Sequence, residues 1–188
     1  MIVIPANNKI KFRGVVETFL FPANKIKTYH DYLMLGGSRA FPTFRDIEAK
    51  KIAIKHEKDT NLVVNLGLGF IRDFLLQEGP AAAPVGPNTN SVGSGTNAPD
   101  AADTGLQTQI ARLAITEWYP SGLAAKLDTF WSSADGNGAG SASWNETGIH
   151  NHISNASTLF CRKKFLSTFT KDNTKTALIA WTLTPVAV

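Results

Sequence analysis

The chain has 188 residues, of which 43% are hydrophobic, so it is long enough to bury a substantial core as one domain. Its 19 Lys and Arg residues outweigh 15 Asp and Glu residues and give a net charge of +4. The basic residues are spread in pairs such as Lys50-Lys51 and Lys163-Lys164 and form no dense stripe. This pattern indicates a solvated surface and predicts no nucleic-acid partner.

The sequence also indicates whether the chain has a membrane span, a secretory signal peptide or a reactive cysteine. No stretch approaches the roughly 18 continuous apolar residues of a membrane span, so we expect no membrane partner. The opening MIVIPANNKIKF has neither a long apolar region nor a cleavage pattern, which argues against a secretory signal peptide. The single cysteine, Cys161, lies in the extended-looking TLFCRKKF and is predicted to be a buried, inert thiol.

The first third of the chain carries a period-two pattern that predicts short strands. Apolar and basic residues alternate in NKIKFRGVVETFLF (residues 8–21), and the alternation recurs around Ile52 and Ile54 in IEAKKIAIKHEKD. Between these runs, LMLGGSRAFPTF contains two adjacent glycines and a proline. We therefore expect a long connection over residues 29–45.

A change of period then predicts one longer helix over residues 61–79. Apolar residues recur at helical spacing in NLVVNLGLGFIRDFLLQEG, with Asn61 as the N-cap and Gly79 as the C-terminal stop. Two internal glycines each weaken such a helix by about 1 kcal/mol relative to alanine, which indicates close packing against a neighbour. A second long connection, rich in proline and alanine, is expected over residues 79–97.

The stretch VGSGTNAPDAADTGLQTQIAR, from Val92 to Arg112, has two interpretations. Residues 93–98 satisfy the G-x-G-x-x-G/A fingerprint of dinucleotide-binding loops. Prolines upstream disfavour the strand that this fingerprint requires, and Pro99 keeps a helix from beginning inside it. We expect a structural segment without a cofactor, in which Asp103 caps a short helix in TGLQTQI.

The remainder of the chain again predicts strands, in RLAITEWYP, TLFCRKKFLSTFT and KTALIAWTLTPV. Alternation in the last run places four apolar residues on one face, namely Ala177, Ile179, Trp181 and Leu183. The predicted fold class is mainly β: an antiparallel β-sandwich with one longer and one short helix. Residues 1–188 are expected to form a single domain.

One loop partly matches a calcium-binding pattern. Positions 1, 3, 6 and 12 of such a loop correspond in DGNGAGSASWNE to Asp135, Asn137, Gly140 and Glu146. The fifth position is Ala139, which offers no side-chain oxygen, and the following TGIHNHI does not suggest an exiting helix. We prefer a Gly-rich hairpin tip before a strand that starts near Ser143, and we predict no metal.

Histidines and catalytic motifs give no stronger signal. His150 and His152 would share one face of a strand, with Glu146 nearby as a further candidate ligand. A structural zinc site needs about four ligands, so solvated histidines are the preferred interpretation. No G-x-S-x-G elbow, H-E-x-x-H helix or Walker lysine occurs in the sequence. We therefore expect no catalytic residue and no enzymatic activity.

Four segments occur in a characteristic order: NLVVNLGLGFIRDFLL, the string G-T-x-A-P-x-x-x-D-T-x-L-Q-T from Gly95 to Thr108, WNETGI, and the closing TLFCRKKFLSTFTKDNTKTALIAWTLT. This order, over roughly Asn61 to Thr184, resembles a family of small virion proteins of tailed bacteriophages. The two long connections are longer than is usual in that family. The resemblance implies a virion protein that assembles with other virion proteins and with copies of itself. It favours a tail-associated subunit of the baseplate, fibre or adaptor, with a capsid decoration protein as the alternative.

The aromatic residues supply candidate contact positions. The four tryptophans exceed what one core of this size requires, so Trp118, Trp131 and Trp144, with Tyr119, are candidate interface anchors. The alternative is that all four tryptophans, including Trp181, are core residues.

A second functional hypothesis belongs to a different class, a surface carbohydrate-binding module. Trp131, Trp144 or Tyr119 would stack on sugar rings of a host glycan. Asp135 and Asn137 would hydrogen-bond to the sugar hydroxyl groups. The sequence does not separate this hypothesis from a protein interface.

Overall fold

A computed structural model of the chain describes residues 10–35, 42–63, 67, 86–151 and 158–187. In these residues the chain order of the elements is β1 (Ile10–Pro22), α1 (Tyr29–Leu33), α2 (Pro42–Ile52), β2 (Lys55–Val63), β3 (Thr89–Gly93), β4 (Gln109–Ala114), β5 (Glu117–Ser121), β6 (Ala124–Trp131), β7 (Ser141–His150), β8 (Leu159–Asp172) and β9 (Lys175–Ala187). The predicted mainly β class is confirmed.

The strands form one antiparallel sheet in the order β4-β3-β7-β8-β2-β1-β9-β6-β5. Its two end strands, β4 and β5, are consecutive in sequence, with Ile115 and Thr116 between them. The Ile115 N–H donates to the carbonyl of Asn88 and the Thr116 N–H to that of Asp128, each at 2.8 Å. Such a short link between opposite ends requires the sheet to curl. The arrangement is therefore one curled antiparallel sheet, and the predicted sandwich is not confirmed.

The main hydrophobic core lies on the inner face of the curl. Trp131 of β6, Trp144 of β7 and Trp181 of β9 are all fully buried there. The rings of Trp131 and Trp144 meet edge to face, with centroids 5.2 Å apart. The predicted inward face of β9 is confirmed, because all four of its apolar residues are buried. Cys161 is also buried as predicted, and burial raises the pKa of its thiol.

A second, smaller core lies on the outer face, where α1 and α2 cover β1 and β9. Phe19 and Phe21 of β1 pack there against Tyr32 of α1 and Ala49 of α2. Helix α1 begins with a capping box. The Thr28 side chain accepts a hydrogen bond from the backbone N–H of the third helical residue, and the side chain of that residue accepts one from the Thr28 N–H. The helices therefore stabilise one side of the sheet and position side chains above it.

The predicted strand around Ile52 and Ile54 is wrong. Ile52 ends helix α2, Ile54 is exposed, and the following strand begins only at Lys55. Helix α2 places Ala49 and the half-buried Ile52, three residues apart, against the second core, so helical packing decides the structure here. The predicted connection over 29–45 also contains α1 and the beginning of α2.

The first residues of the predicted longer helix are also not helical. Asn61 is no N-cap, because it lies in β2 and pairs with Gly14 of β1. The next two residues pair with Arg162 and Cys161 of β8, so strand pairing on both sides overrides the local helical pattern. Of the rest of the predicted helix, Gly67 is described, and residues 64–66 and 68–79 lie outside the described residues. The predicted connection over 79–97 contains the fully buried strand β3.

Candidate functional site

The segment from Gly95 to Thr108 folds as an extended loop between β3 and β4. The predicted cap is wrong, because residues 103–108 are not helical and the Asp103 carboxylate instead accepts a hydrogen bond from Arg162 Nη1 at 2.7 Å. The same Asp103 oxygen accepts from the backbone N–H of Asp100 at 2.8 Å. Burial alone would raise the pKa of the Asp103 carboxyl group, but these two hydrogen bonds lower it by a larger amount. The pKa of Asp103 is therefore below its ordinary value.

A buried glutamate holds this loop in place. Glu146 of β7 accepts hydrogen bonds from the backbone N–H groups of Gly95 at 3.0 Å, Gln107 at 3.2 Å and Thr108 at 2.9 Å. It also accepts from Arg162 Nε at 2.8 Å. Burial lowers the pKa of Arg162, but the two carboxylates of Asp103 and Glu146 raise it above its ordinary value. Glu146 and Arg162 thus hold the loop between β3 and β4 in place, and we refer to these two residues and this loop together as the clamp.

In the clamp, three backbone N–H groups that a bound dinucleotide would require already donate to side chains. The Gln107 side-chain oxygen accepts from the backbone N–H groups of Thr96 at 2.9 Å and Asn97 at 3.0 Å. A Cβ atom on Gly95 would lie 2.4 Å from Glu146 Oε1, so the glycine is required by the glutamate. The N–H groups of Gly95, Thr96 and Asn97 are all directed at side chains of this chain.

The calcium candidates lie in two separate places. Asp135 and Asn137 belong to the hairpin between β6 and β7, whose predicted position is confirmed, since β7 begins at Ser141. The Asp135 carboxylate accepts from Ser132 Oγ at 2.6 Å, and Asn137 Oδ1 accepts from Lys171 Nζ at 2.8 Å.

The third calcium candidate, Glu146, is in the clamp. Within the described part of the chain, no group of three or more His, Cys, Asp or Glu residues could hold a metal ion.

His150 is buried and lies 2.7 Å from the Ser91 hydroxyl through its Nε2 atom. Burial, with Arg112 nearby, lowers the pKa of His150 to about 3, so its ring is neutral at physiological pH. It is not the solvated histidine that the sequence predicts, because it is 1% exposed and its ring contacts Ser91 of β3. His152 lies outside the described residues.

The candidate interface aromatics separate into two groups. Trp131 and Trp144 are core residues and have no surface to offer a partner or a sugar. Trp118 of β5, in contrast, is 76% exposed, and Leu123 in the turn to β6 is 85% exposed. Tyr119 is half-buried and lines a cavity on the outer face of the sheet. The β5–β6 hairpin therefore carries the accessible candidates.

The cavity has a volume of about 260 Å³. Its floor follows from the strand register, in which Asp128 of β6, Ala180 of β9 and Glu17 of β1 lie opposite one another. Ala180 is small and leaves space between two acidic residues. Tyr32 of α1 and Arg45 of α2 line the cavity from above the sheet. The two helices and five strands, β1, β2, β5, β6 and β9, together thus line a polar pocket.

Two carboxylates share one phenol at the edge of this cavity. Tyr29 Oη lies 2.8 Å from Glu117 Oε2 and 2.8 Å from Asp128 Oδ2. Burial raises the pKa of Asp128 to about 6, although Tyr29, Arg45 and Lys126 oppose the shift. Burial and the same carboxylates also raise the pKa of Tyr29. A single hydroxyl proton can serve only one carboxylate at a time.

Glu17 is the other acidic residue of the cavity, and two lysines and one histidine surround it. Its carboxylate lies 2.8 Å from His56 Nε2, 3.1 Å from Lys58 Nζ and 3.4 Å from Lys50 Nζ. Burial raises the pKa of Glu17, but hydrogen bonds from His56 and Lys58 lower it below the ordinary value overall. Glu17 is therefore an ionised and locally compensated carboxylate.

Arg45 is the least compensated charge of the cavity. Its residue is only 4% exposed, and its guanidinium carbon lies 4.9 Å from the centroid of the Tyr32 ring. None of the described residues accepts a hydrogen bond from its Nε atom. Burial lowers the pKa of Arg45, but the nearby Tyr32, Tyr119 and Asp128 raise it overall. The side chain is thus a buried cation facing a cavity.

Sequence reasoning did not identify Arg45, Asp128 or Tyr29 as site residues. They are distant in sequence, and only the register and the helices bring them together. One signal was available: Asp128 is the one charged residue of the segment LDTFW, and a charge in a buried strand requires a partner. Glu146 gives the same signal in SWNETGI.

Within the described part of the chain, no helix has the length and apolar character needed to span a membrane. Comparisons with known proteins found no matching family profile, no matching curated protein and no matching solved structure. Functional proposals therefore rest on the geometry of the described residues and on the motif resemblance.

Proposed function

We propose that the protein is a structural subunit of a bacteriophage particle, tail-associated in the baseplate, fibre or adaptor. It acts through contacts with other virion proteins and with copies of itself, without catalysis. The motif from Gly95 to Thr108 supports the family resemblance. The observation that carries the assembly role is the β5–β6 hairpin, which exposes Trp118 and Leu123 at one end of the sheet.

The hairpin has the chemistry of a protein contact. Strand β5 is last in the strand order, and no described strand pairs with its outer edge. Exposed edges and exposed tryptophan favour association, because edge backbone groups pair readily and tryptophan is enriched among the residues that dominate binding energy. Leu123 lies in the tight turn beside Gly122, so the apolar surface extends to the tip.

Two measurements test the proposal. Mass spectrometry of purified phage particles is expected to find the protein in a fixed stoichiometry, and particle reconstruction gives its position on the tail or the capsid. Sedimentation of the isolated protein is expected to show self-association that Trp118→Ala abolishes. Leu166→Ala is the matched control, because Leu166 is equally exposed but lies on β8, away from the hairpin. Absence from particles, or equal behaviour of both variants, contradicts the proposal.

The cavity favours a second candidate, a surface carbohydrate-binding module. Tyr119 is the aromatic residue of that hypothesis that remains available, since Trp131 and Trp144 are buried. Tyr119 lines the cavity beside carboxylates that can accept hydrogen bonds from sugar hydroxyls. The remaining alternative, a capsid decoration protein, differs from the tail-associated subunit and from the carbohydrate-binding module in its location on the particle. The particle reconstruction measures that location.

A further inference from the structure

We propose that the cavity between α2 and the outer face of β1, β9 and β6 binds a small hydroxylated anion, such as an acidic sugar or a sugar phosphate. Both supply an anionic group beside several hydroxyl groups. The proposal does not depend on the protein's place in a virion.

Arg45 is the main reason to expect an anion. A buried cation without a hydrogen-bonded counter-ion is unfavourable, and a guanidinium binds carboxylates and phosphates through paired N–H groups. Arg45 lines the cavity, is almost fully buried, and directs no Nε hydrogen bond to any described residue. An anionic group in the cavity would compensate the charge of this guanidinium.

The charge balance of the cavity agrees with an anionic ligand. Three cations line it, Arg45, Lys58 and Lys126, against two carboxylates, Glu17 and Asp128. Glu17 is already compensated by Lys58 and by Lys50, which lies outside the cavity wall. Of the lining carboxylates, Arg45 and Lys126 therefore face only Asp128, which shares Tyr29 with Glu117 at the edge of the cavity, so the lining residues themselves carry a net positive charge.

The other lining groups favour hydroxyls and a small size. The carboxylate of Asp128 and the hydroxyl of Thr182 can accept hydrogen bonds from a hydroxylated ligand. The volume of about 260 Å³ lies just below the range of about 300–1,000 Å³ typical of small-molecule pockets. The cavity therefore suits one sugar-sized ring with its anionic group directed at Arg45.

Isothermal titration calorimetry with four probes tests this ligand class: glucuronate, glucose 6-phosphate, glucose and inorganic phosphate. We expect binding of glucuronate or glucose 6-phosphate and none of glucose, and the preferred anion identifies whether the source is a carboxylate or a phosphate. Glucose bound as tightly as its anionic derivatives overturns the proposal. So does equal binding of inorganic phosphate, because the hydroxyls then contribute nothing, and so does the failure of all four probes.

Three variants locate the binding. Arg45→Met should lower the affinity at least about tenfold, the loss expected for a charge-assisted hydrogen bond. Lys51→Met is the matched control, since it removes an exposed cation from the same helix and should leave affinity unchanged. Ala180→Val fills the floor without changing charge and should abolish binding even if Arg45→Met fails to fold. Unchanged affinity in Ala180→Val contradicts the site.

Discussion

Glu146 and Arg162 form an ion pair that is shielded from solvent, with side chains 0% and 2% exposed and Glu146 Oε2 2.7 Å from Arg162 Nη2. The pair joins neighbouring strands β7 and β8 and lies beneath the loop between β3 and β4. Because the same carboxylate also accepts three backbone N–H groups, one residue both compensates a buried charge and orders the loop.

Removing the charge of Glu146 should strongly destabilise the protein. Glu146→Gln keeps the size of the side chain but leaves Arg162 with Asp103 as its only carboxylate partner among the described residues. Breaking a buried pair in this way costs about 3–5 kcal/mol, so the free energy of unfolding should fall by that order. Urea denaturation followed by tryptophan fluorescence measures the change.

Asp172→Asn provides the control for this prediction. Asp172 pairs with Lys175 in the β8–β9 turn, where both side chains retain solvent exposure. An exposed pair contributes little to stability because solvent screens it, so this variant should remain close to the wild type. Equal losses in the two variants would mean that the Glu146 pair is solvated in solution.

The buried Asp128 should make stability depend on pH with a defined sign. Its pKa rises from 3.8 to about 6 on folding, so the folded state binds the proton more tightly and loses stability as pH rises through this window. Asp128→Asn should therefore be more stable than the wild type at pH 7.5, by at most about 3 kcal/mol. The difference should vanish below pH 3.8, and thermal melts across this range measure it.

Glu17 supplies the control of opposite sign. Its pKa is lowered in the folded state, so its ionised form stabilises the protein above the ordinary pKa of 4.5 and this contribution is lost at lower pH. Glu17→Gln should be less stable than the wild type at neutral pH, and the difference should shrink on acidification. The same sign of pH dependence in both variants would contradict the assigned environments.

The alternation of apolar and polar residues was sufficient to predict a strand wherever one face of that strand is buried. In strand β9 every second residue from Ala177 to Leu183 is apolar and enters the main core, and the sequence shows this directly, whereas Leu178 on the opposite face enters the second core. The Gly-rich hairpin before Ser141 was also predictable, since glycines there adopt positive φ angles. Mainly β structure therefore followed from the sequence.

Long-range pairing decided the features that local patterning missed. Asn61 has a helical sequence context, yet hydrogen bonding to β1 places it in a strand. Asp103 has the chemistry of a helix cap, yet its partner Arg162 is 59 residues away. The cavity likewise combines residues from α1, α2, β1, β2, β5, β6 and β9, and no window of sequence contains its geometry.

Trp144 and Trp118 should respond in opposite ways to truncation. Trp144 is fully buried and its indole N–H donates to the carbonyl of Gly136 at 2.9 Å. Trp144→Ala should lower the free energy of unfolding by about 3–5 kcal/mol, through lost burial and a cavity. Trp118→Ala should change it by no more than about 0.5 kcal/mol, because the ring is exposed. Chemical denaturation measures both, and a large loss for Trp118 would show that it packs within the chain.

Two glycines with similar backbone angles separate conformational strain from steric clash. Gly136 and Gly122 have φ angles of 67° and 62°, so alanine at either position costs about 1–2 kcal/mol in the left-handed region. A Cβ atom at Gly136 would lie 2.6 Å from Trp144 Cζ2, whereas nothing lies within 4 Å of one at Gly122. Gly136→Ala should therefore be the more destabilising by a further 1–3 kcal/mol, roughly the effect of overpacking. It should also alter the near-ultraviolet circular dichroism of the Trp131 and Trp144 pair, which Gly122→Ala should leave unchanged. Equal stability losses with unchanged spectra would show that the hairpin does not press on these rings.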